Sequence, residues 1–191
     1  MFSTNADLFF EPPTNHRHPP NRYGLLHLLR RDVIQCLGRD PTTNANIGFR
    51  ALWPGAMGIL AGIDLLAKYL AGSDSSGGVG DRYRKYLDKY FQPLGEDDAE
   101  TLYQFRNALI HSFGLFSKSK TKTYHFGMSM NGKELIVSRS ADQYTIDVFA
   151  LHQRFEKSVS LFQSDLDVDN DLQKHFVQMF PKYGSIRYGG G

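Results

Sequence analysis

Three polar side chains that together suit phosphate chemistry lie close along the chain: Arg106, Asn107 and His111. Arginine is always charged and presents a planar fork of N–H donors that matches phosphate oxygens. Histidine exchanges a proton near neutral pH and can act as a general acid or base. Cleavage of RNA without a metal needs a base for the ribose 2′-hydroxyl, positive charge on the phosphate and a proton for the leaving oxygen. The trio is therefore a candidate for that chemistry.

The element that must position these side chains is a helix, which we predict over residues 98–114. Its apolar positions recur at spacings of three and four residues and form one buried stripe: Leu102, Phe105, Leu109, Phe113 and Phe116. At about 100° of rotation per residue, His111 lies almost opposite that stripe and Asn107 lies about 40° from His111. Arg106 projects at the edge of the buried face. We therefore expect Asn107 and His111 to face away from the core.

The spacing resembles the Arg-x4-6-His motif of the HEPN superfamily. These all-helical domains include many metal-independent ribonucleases of toxin–antitoxin, phage-defence and RNA-processing systems. A polar residue, often Asn, follows the Arg in that family, and Asn107 matches it. The resemblance covers the trio and a compatible order of helices over roughly residues 22–165. It implies a mainly all-α fold, an HEPN-like helical bundle.

The same resemblance implies a metal-independent endoribonuclease of a toxin–antitoxin or defence system, without a cofactor. Arg106 would hold the phosphate and stabilise charge in the transition state. His111 would transfer a proton, and Asn107 would orient the imidazole or hydrogen-bond the ribose or phosphate. The expected partners are RNA, a second copy of the chain, and an antitoxin or a nucleotidyltransferase.

The second copy matters because one histidine cannot easily be both base and acid. In the HEPN arrangement, paired motifs meet at a dimer interface and share the work. Tyr103, Ile110 and Gly114 flank Asn107 and His111 on the outer face of the helix, so they supply apolar area and close approach for such an interface.

Four further residues are weaker candidates. Asp64 is a candidate support for the motif, although an ion pair with Lys68 four residues later is the simpler explanation. Lys118, Lys120 and Lys122 follow the motif helix and suit an RNA backbone, although scattered lysines in a solvated loop are common.

Two alternatives compete with catalysis. Arg106 could pair with a carboxylate such as Asp64, while Asn107 and His111 hydrogen-bond across a helix contact. That arrangement would be a non-catalytic module that holds a nucleotide, an RNA or a partner protein. A Ser-His hydrolase is a poorer alternative, because Ser112 points about 100° away from His111 on the same helix.

The remaining chain divides into an arm, one domain and a tail. The prolines of residues 1–21 favour an extended N-terminal arm. Residues 22–183 would form a single helical domain, interrupted by a β-hairpin at about residues 121–140 around Asn131-Gly132. Residues 184–191 would be a flexible tail.

Composition sets broad limits. A chain of 191 residues with 41% hydrophobic content can bury one core, and a net charge of +2 permits nucleic-acid binding without demanding it. The single cysteine, Cys36, excludes an intrachain disulfide and a cysteine-rich metal site. The apolar stretch at residues 59–70 is broken by Asp64 and Lys68, so we expect a soluble, cytoplasmic protein that does not contact a membrane.

Overall fold

The computed structural model describes residues 2–11, 21–75 and 77–187. Within these ranges the helices are α1 Phe2–Phe10, α2 Leu25–Cys36, α3 Leu52–Ala71, α4 Val79–Tyr90, α5 Asp98–His111, α6 Val148–Val168 and α7 Asn170–Tyr183. The strands are β1 Arg22–Gly24, β2 Phe116–Lys118, β3 Thr123–Ser129, β4 Ile136–Ser138, β5 Gln143–Asp147 and β6 Ser185–Arg187.

Helix α3 is the centre of the core and packs against α2, α4, α5, α6 and α7. Small residues allow this close packing: a Cβ atom on Gly58 would lie 2.7 Å from Val33 Cγ2, and one on Gly62 would lie 2.6 Å from Phe155 Cζ. Of the helices described, α3 alone is long and apolar enough to cross a membrane, but 56% of its most apolar window is buried inside the fold. It therefore has the burial of a core helix in a soluble protein.

The prediction of a mainly all-α bundle is wrong, because the fold is mixed α/β. Residues 116–147 form a four-stranded sheet in the order β2-β3-β5-β4, and the chain near both ends forms a two-stranded sheet, β1-β6. The sheet lies directly after α5, and its buried rings pack on that helix: Phe105 and Phe126 have ring centroids 5.1 Å apart. In a helical bundle another helix would cover this apolar face of α5. Here the strands β2 and β3 cover it.

The predicted β-hairpin around Asn131-Gly132 is also wrong. Strand β3 does not pair with β4; instead β5 lies between them, parallel to β3 and antiparallel to β4. Gly132 does adopt a left-handed backbone, with φ 67°, as a turn requires. This turn, however, lies in a crossover that connects β3 to β4 past the position of β5. In this crossover the carbonyl of the buried Leu135 accepts a hydrogen bond from the Asp147 N–H at 3.0 Å.

Asp147 joins this crossover to the start of α6. Its buried carboxylate caps α6 by accepting from the Ala150 N–H at 2.9 Å, and it also accepts from Ser129 Oγ at 2.8 Å and the Asn131 N–H at 2.5 Å. Burial raises the pKa of this carboxyl, but the hydrogen bonds outweigh burial and leave the pKa below its ordinary value. Asp147 therefore stabilises the fold in its ionised form.

We expect Asp147→Ala to lower the free energy of unfolding by about 3 kcal/mol, because a helix cap and two further charge-assisted hydrogen bonds are lost. Since the folded-state pKa is depressed, the wild-type contribution is present above about pH 4 and is lost as the pH falls through the folded-state pKa. Urea unfolding at pH 7 and at pH 3 tests this. If the free energies of unfolding of the wild type and Asp147→Ala differed by the same amount at both pH values, the prediction would be contradicted.

The predictions for the chain ends need correction as well. Residues 2–10 of the expected extended arm form α1, and Leu8, Phe9 and Phe10 are buried. Phe9 lies against the Tyr69 and Phe176 rings, with centroids 4.7 Å and 5.5 Å away, so burial of these rings stabilises the helix. The domain core therefore begins before residue 22, and residues 12–20 lie outside the described ranges.

The expected flexible tail is ordered in its first part. Residues 185–187 form β6, which pairs antiparallel with β1. Arg22 Nε donates to Ser185 Oγ at 2.7 Å across this pair. Residues 188–191 lie outside the described ranges.

Candidate functional site

Helix α5 carries the Arg-Asn-x3-His residues, as predicted, and ends at His111 instead of Gly114. Leu102, Phe105 and Leu109 are fully buried, which confirms that part of the stripe. Asn107 is half-buried and His111 is exposed, as expected from their position opposite the stripe. Phe113 and Phe116, by contrast, are 74% and 49% exposed, so the buried stripe ends at Leu109.

The helix stops because the backbone of Phe113 turns into the left-handed region, with φ 46°. The Gly114 N–H then donates back to the Ala108 carbonyl at 3.0 Å. A left-handed backbone is strained for a side chain with a Cβ atom. His111 consequently occupies the last turn of α5, at the surface, two residues before a strained residue.

We expect Phe113→Gly to stabilise the protein by about 1 kcal/mol, because glycine removes the left-handed strain and the lost ring is mostly exposed. The melting temperature should rise by about 2–4 °C for a chain of this size. Phe116→Gly is the matched control: Phe116 is also exposed but lies in strand β2, where glycine should destabilise. A fall in melting temperature for Phe113→Gly would contradict the presence of backbone strain at Phe113.

The Arg106 guanidinium connects all the polar residues of the site. Its Nε donates to Asp64 Oδ2 at 3.0 Å, and its Nη2 donates to the same oxygen. Its Nη1 donates to Asn107 Oδ1 at 3.1 Å and to His111 Nε2. The side chain is only 9% exposed, so a buried cation is held by a carboxylate on one side and by Asn107 and His111 on the other.

The structure thus brings Asp64 into the site, where sequence reasoning made it only a weak candidate. The expected ion pair between Asp64 and Lys68 is not formed: Lys68 Nζ lies 4.5 Å above the ring of Tyr183 instead. Asp64 lies on α3 and its side chain is 18% exposed, so the ion pair with Arg106 is largely shielded from water.

The hydrogen bond to Arg106 determines the form of His111. A guanidinium has donors and no acceptor, so His111 Nε2 must be the acceptor. In this state the imidazole is neutral and carries its proton on Nδ1. Nε2 is therefore a base that becomes available when Arg106 Nη1 turns to another acceptor.

The site can bind an anion next to that base. Arg106 Nη1 supplies N–H donors, and no described residue accepts from the Asn107 amide nitrogen. A phosphate oxygen could therefore take donors from both groups. Three or more metal-binding side chains do not cluster anywhere in the described part of the chain.

Among the described residues, no hydrogen bond or ion pair joins Lys118, Lys120 or Lys122 to Arg106, Asn107 or His111. Lys118 ends β2, Lys120 follows in the turn, and the Lys122 ammonium lies 5.4 Å and 5.2 Å from the Tyr124 and Tyr144 ring centroids. The proposed dimer contacts are half-buried: Tyr103 and Ile110 lie on α5, and Gly114 follows its end.

The sequence did not single out Tyr83, which lies on α4. Its ring centroid lies 5.7 Å from that of Tyr103, and its side chain is fully buried. Burial raises the pKa of its hydroxyl well above the usual value; the Asp64 carboxylate raises it further and the Arg106 guanidinium opposes the rise. No sequence pattern marks this position, because only the fold packs α4 against the helices that carry Asp64 and Arg106.

Comparison of the chain with protein-family models, with curated proteins and with solved structures found no match. The side chains of the site are therefore the basis on which a function can be proposed.

Proposed function

We propose that the chain is a metal-independent endoribonuclease whose phosphate site is formed by Arg106, Asn107 and His111. The observation that supports this proposal most strongly is the hydrogen bond from the Arg106 guanidinium to His111 Nε2. A guanidinium suits a phosphate, and the imidazole that it contacts belongs to a residue at the protein surface and is suited to act as a base.

Substrate binding would free the base. Because Arg106 is almost completely buried, its guanidinium has to move outward to reach a phosphodiester. Nη1 then donates to phosphate oxygens instead of His111, and the released Nε2 takes the proton of the ribose 2′-hydroxyl. The 2′-oxygen attacks the phosphorus, the bond to the 5′-oxygen breaks, and a 2′,3′-cyclic phosphate forms.

The leaving 5′-oxygen needs a proton, which a neutral imidazole in the same site does not supply. We propose that the protonated His111 of a second copy donates it and ends neutral, through a two-fold dimer that uses Tyr103, Ile110 or Gly114 and buries at least about 1,000 Å². The cytoplasm suits such an enzyme and its single free thiol, Cys36. An antitoxin or a nucleotidyltransferase would restrain it.

The second candidate function is a non-catalytic module that binds a nucleotide, an RNA or a partner protein. The observation in its favour is that Arg106 already donates to Asp64, Asn107 and His111. A buried cation with this many partners is also suited to a structural role.

Incubation of the purified chain with mixed RNA, with and without EDTA, tests the proposal. We expect cleavage that EDTA does not reduce, because the described side chains form no metal-ligand cluster. Loss of cleavage in EDTA would contradict the metal-independent reaction. An inactive protein that binds nucleotide or RNA would support the second candidate.

A further inference from the structure

Two tyrosine hydroxyls are buried without a hydrogen-bond partner among the described residues, those of Tyr69 and Tyr83. Both residues have no exposed surface. A buried hydroxyl that makes no hydrogen bond lowers stability, because it has given up its bonds to water. Each therefore requires an explanation.

The surroundings of the two hydroxyls differ. Tyr69 packs among phenyl rings, with Phe9 and Phe176 centroids 4.7 Å and 5.0 Å away. Tyr83 lies on α4, which packs against both α3 and α5, the helices that carry Asp64 and Arg106. Its ring also lies 5.7 Å from that of Tyr103 on α5, and the charges of both Asp64 and Arg106 act on the pKa of its hydroxyl.

We propose that Tyr83 is a positioning residue of this site, whose hydroxyl donates to the Asp64 carboxylate when Arg106 moves outward to hold a phosphodiester. The inference rests on the proposed function. Asp64 accepts two hydrogen bonds from Arg106, and the outward movement removes at least one of them. A shielded carboxylate that loses its donors is costly, and a nearby free hydroxyl offsets that cost.

The direction of donation follows from the protonation state. The raised pKa of Tyr83 keeps its hydroxyl protonated at neutral pH, so the hydroxyl can donate. The carboxylate of Asp64 can only accept while it is ionised. In the free protein both hydrogen bonds from Arg106 go to Asp64 Oδ2, and the Tyr83 hydroxyl makes no hydrogen bond to a described residue.

Kinetics of Tyr83→Phe provide the first test. The hydrogen bond would form in both the bound substrate and the transition state, so we expect the KM for RNA to rise about tenfold with kcat nearly unchanged. Tyr69→Phe is the matched control, since it removes another buried, unpartnered hydroxyl whose ring packs on Phe9 and Phe176, and its KM should equal that of the wild type. Equal KM values for all three proteins would overturn the inference.

Thermal unfolding provides the second test and needs no activity. In the wild type, Tyr83→Phe should raise Tm by about 2–4 °C, because it removes an unpaired hydroxyl. In an Arg106→Met background, where Asp64 has lost its donor, the same substitution should lower Tm. Arg106→Gln, whose side chain is shorter than that of arginine, is the second background if Arg106→Met does not fold.

The two tests separate the inference from the proposed function. A wild-type protein that does not cleave RNA refutes the ribonuclease. The effect of Tyr83→Phe on Tm, which should change sign between the wild-type and Arg106→Met backgrounds, still decides whether Tyr83 supports Asp64. A rise in Tm of the same size in both backgrounds would overturn the role of Tyr83 whatever the activity.

Discussion

His111→Ala and Arg106→Ala should each lower the rate of RNA cleavage by about 10²–10⁴-fold. His111→Ala removes the group that takes the 2′-hydroxyl proton, and loss of one general base typically has an effect of this size. Arg106→Ala removes the charge that holds the phosphate. Arg106→Lys should recover little activity, because an ammonium cannot donate from a planar fork to Asp64, His111 and a phosphate. Initial rates on one defined RNA measure these effects.

His125→Ala is the matched control for the histidine. His125 lies in β3, with its ring 5.2 Å from that of Phe116, and it makes no hydrogen bond with the trio among the described residues. This variant should cleave RNA at the wild-type rate. Equal rates for His111→Ala and wild type would show that the cleavage comes from a contaminant, and would end the assignment of His111.

Asp64→Ala should lower the free energy of unfolding by about 3–5 kcal/mol. It leaves the guanidinium of Arg106, whose side chain is 9% exposed, without its carboxylate. Removal of one partner from a buried ion pair has an effect of this size, because the remaining charge stays shielded from water. Urea unfolding of the variant and the wild type gives the difference.

The exposed ion pair between Arg31 and Asp32 supplies the comparison. Its side chains are 44% and 58% exposed, so Asp32→Ala should change the free energy of unfolding by less than about 1 kcal/mol. A similar small change for Asp64→Ala would mean that Arg106 reaches water readily. In that case substrate would not need to draw the guanidinium outward.

The grouping of the trio was predictable because it follows from local helix geometry. Periodicity placed Leu102, Phe105 and Leu109 on the buried face, and the rotation per residue then put Asn107 and His111 opposite it. The contact between Arg106 and Asp64 was harder to predict, because it joins residues on two helices. The sequence of either helix alone does not specify how the two cross.

The sheet and the chain ends were not predictable from local patterns. Asn131-Gly132 has the composition of a hairpin turn, yet β5 lies between the two strands that it connects, so strand pairing over a longer range decides the topology. The same holds for α1, where burial of Phe9 outweighs the proline-rich sequence that follows. The mixed fold does not itself imply function, and the proposal rests on the side chains of the site.

The most direct test of the central claim is the mass of the 5′ fragment released from a short, defined RNA. If His111 activates the ribose 2′-hydroxyl beside a phosphate held by Arg106, the wild-type fragment should end in a 2′,3′-cyclic phosphate, with EDTA present, and His111→Ala should release almost none. A fragment that ends in a 3′-hydroxyl, or the same yield of cyclic phosphate from both proteins, would contradict the account.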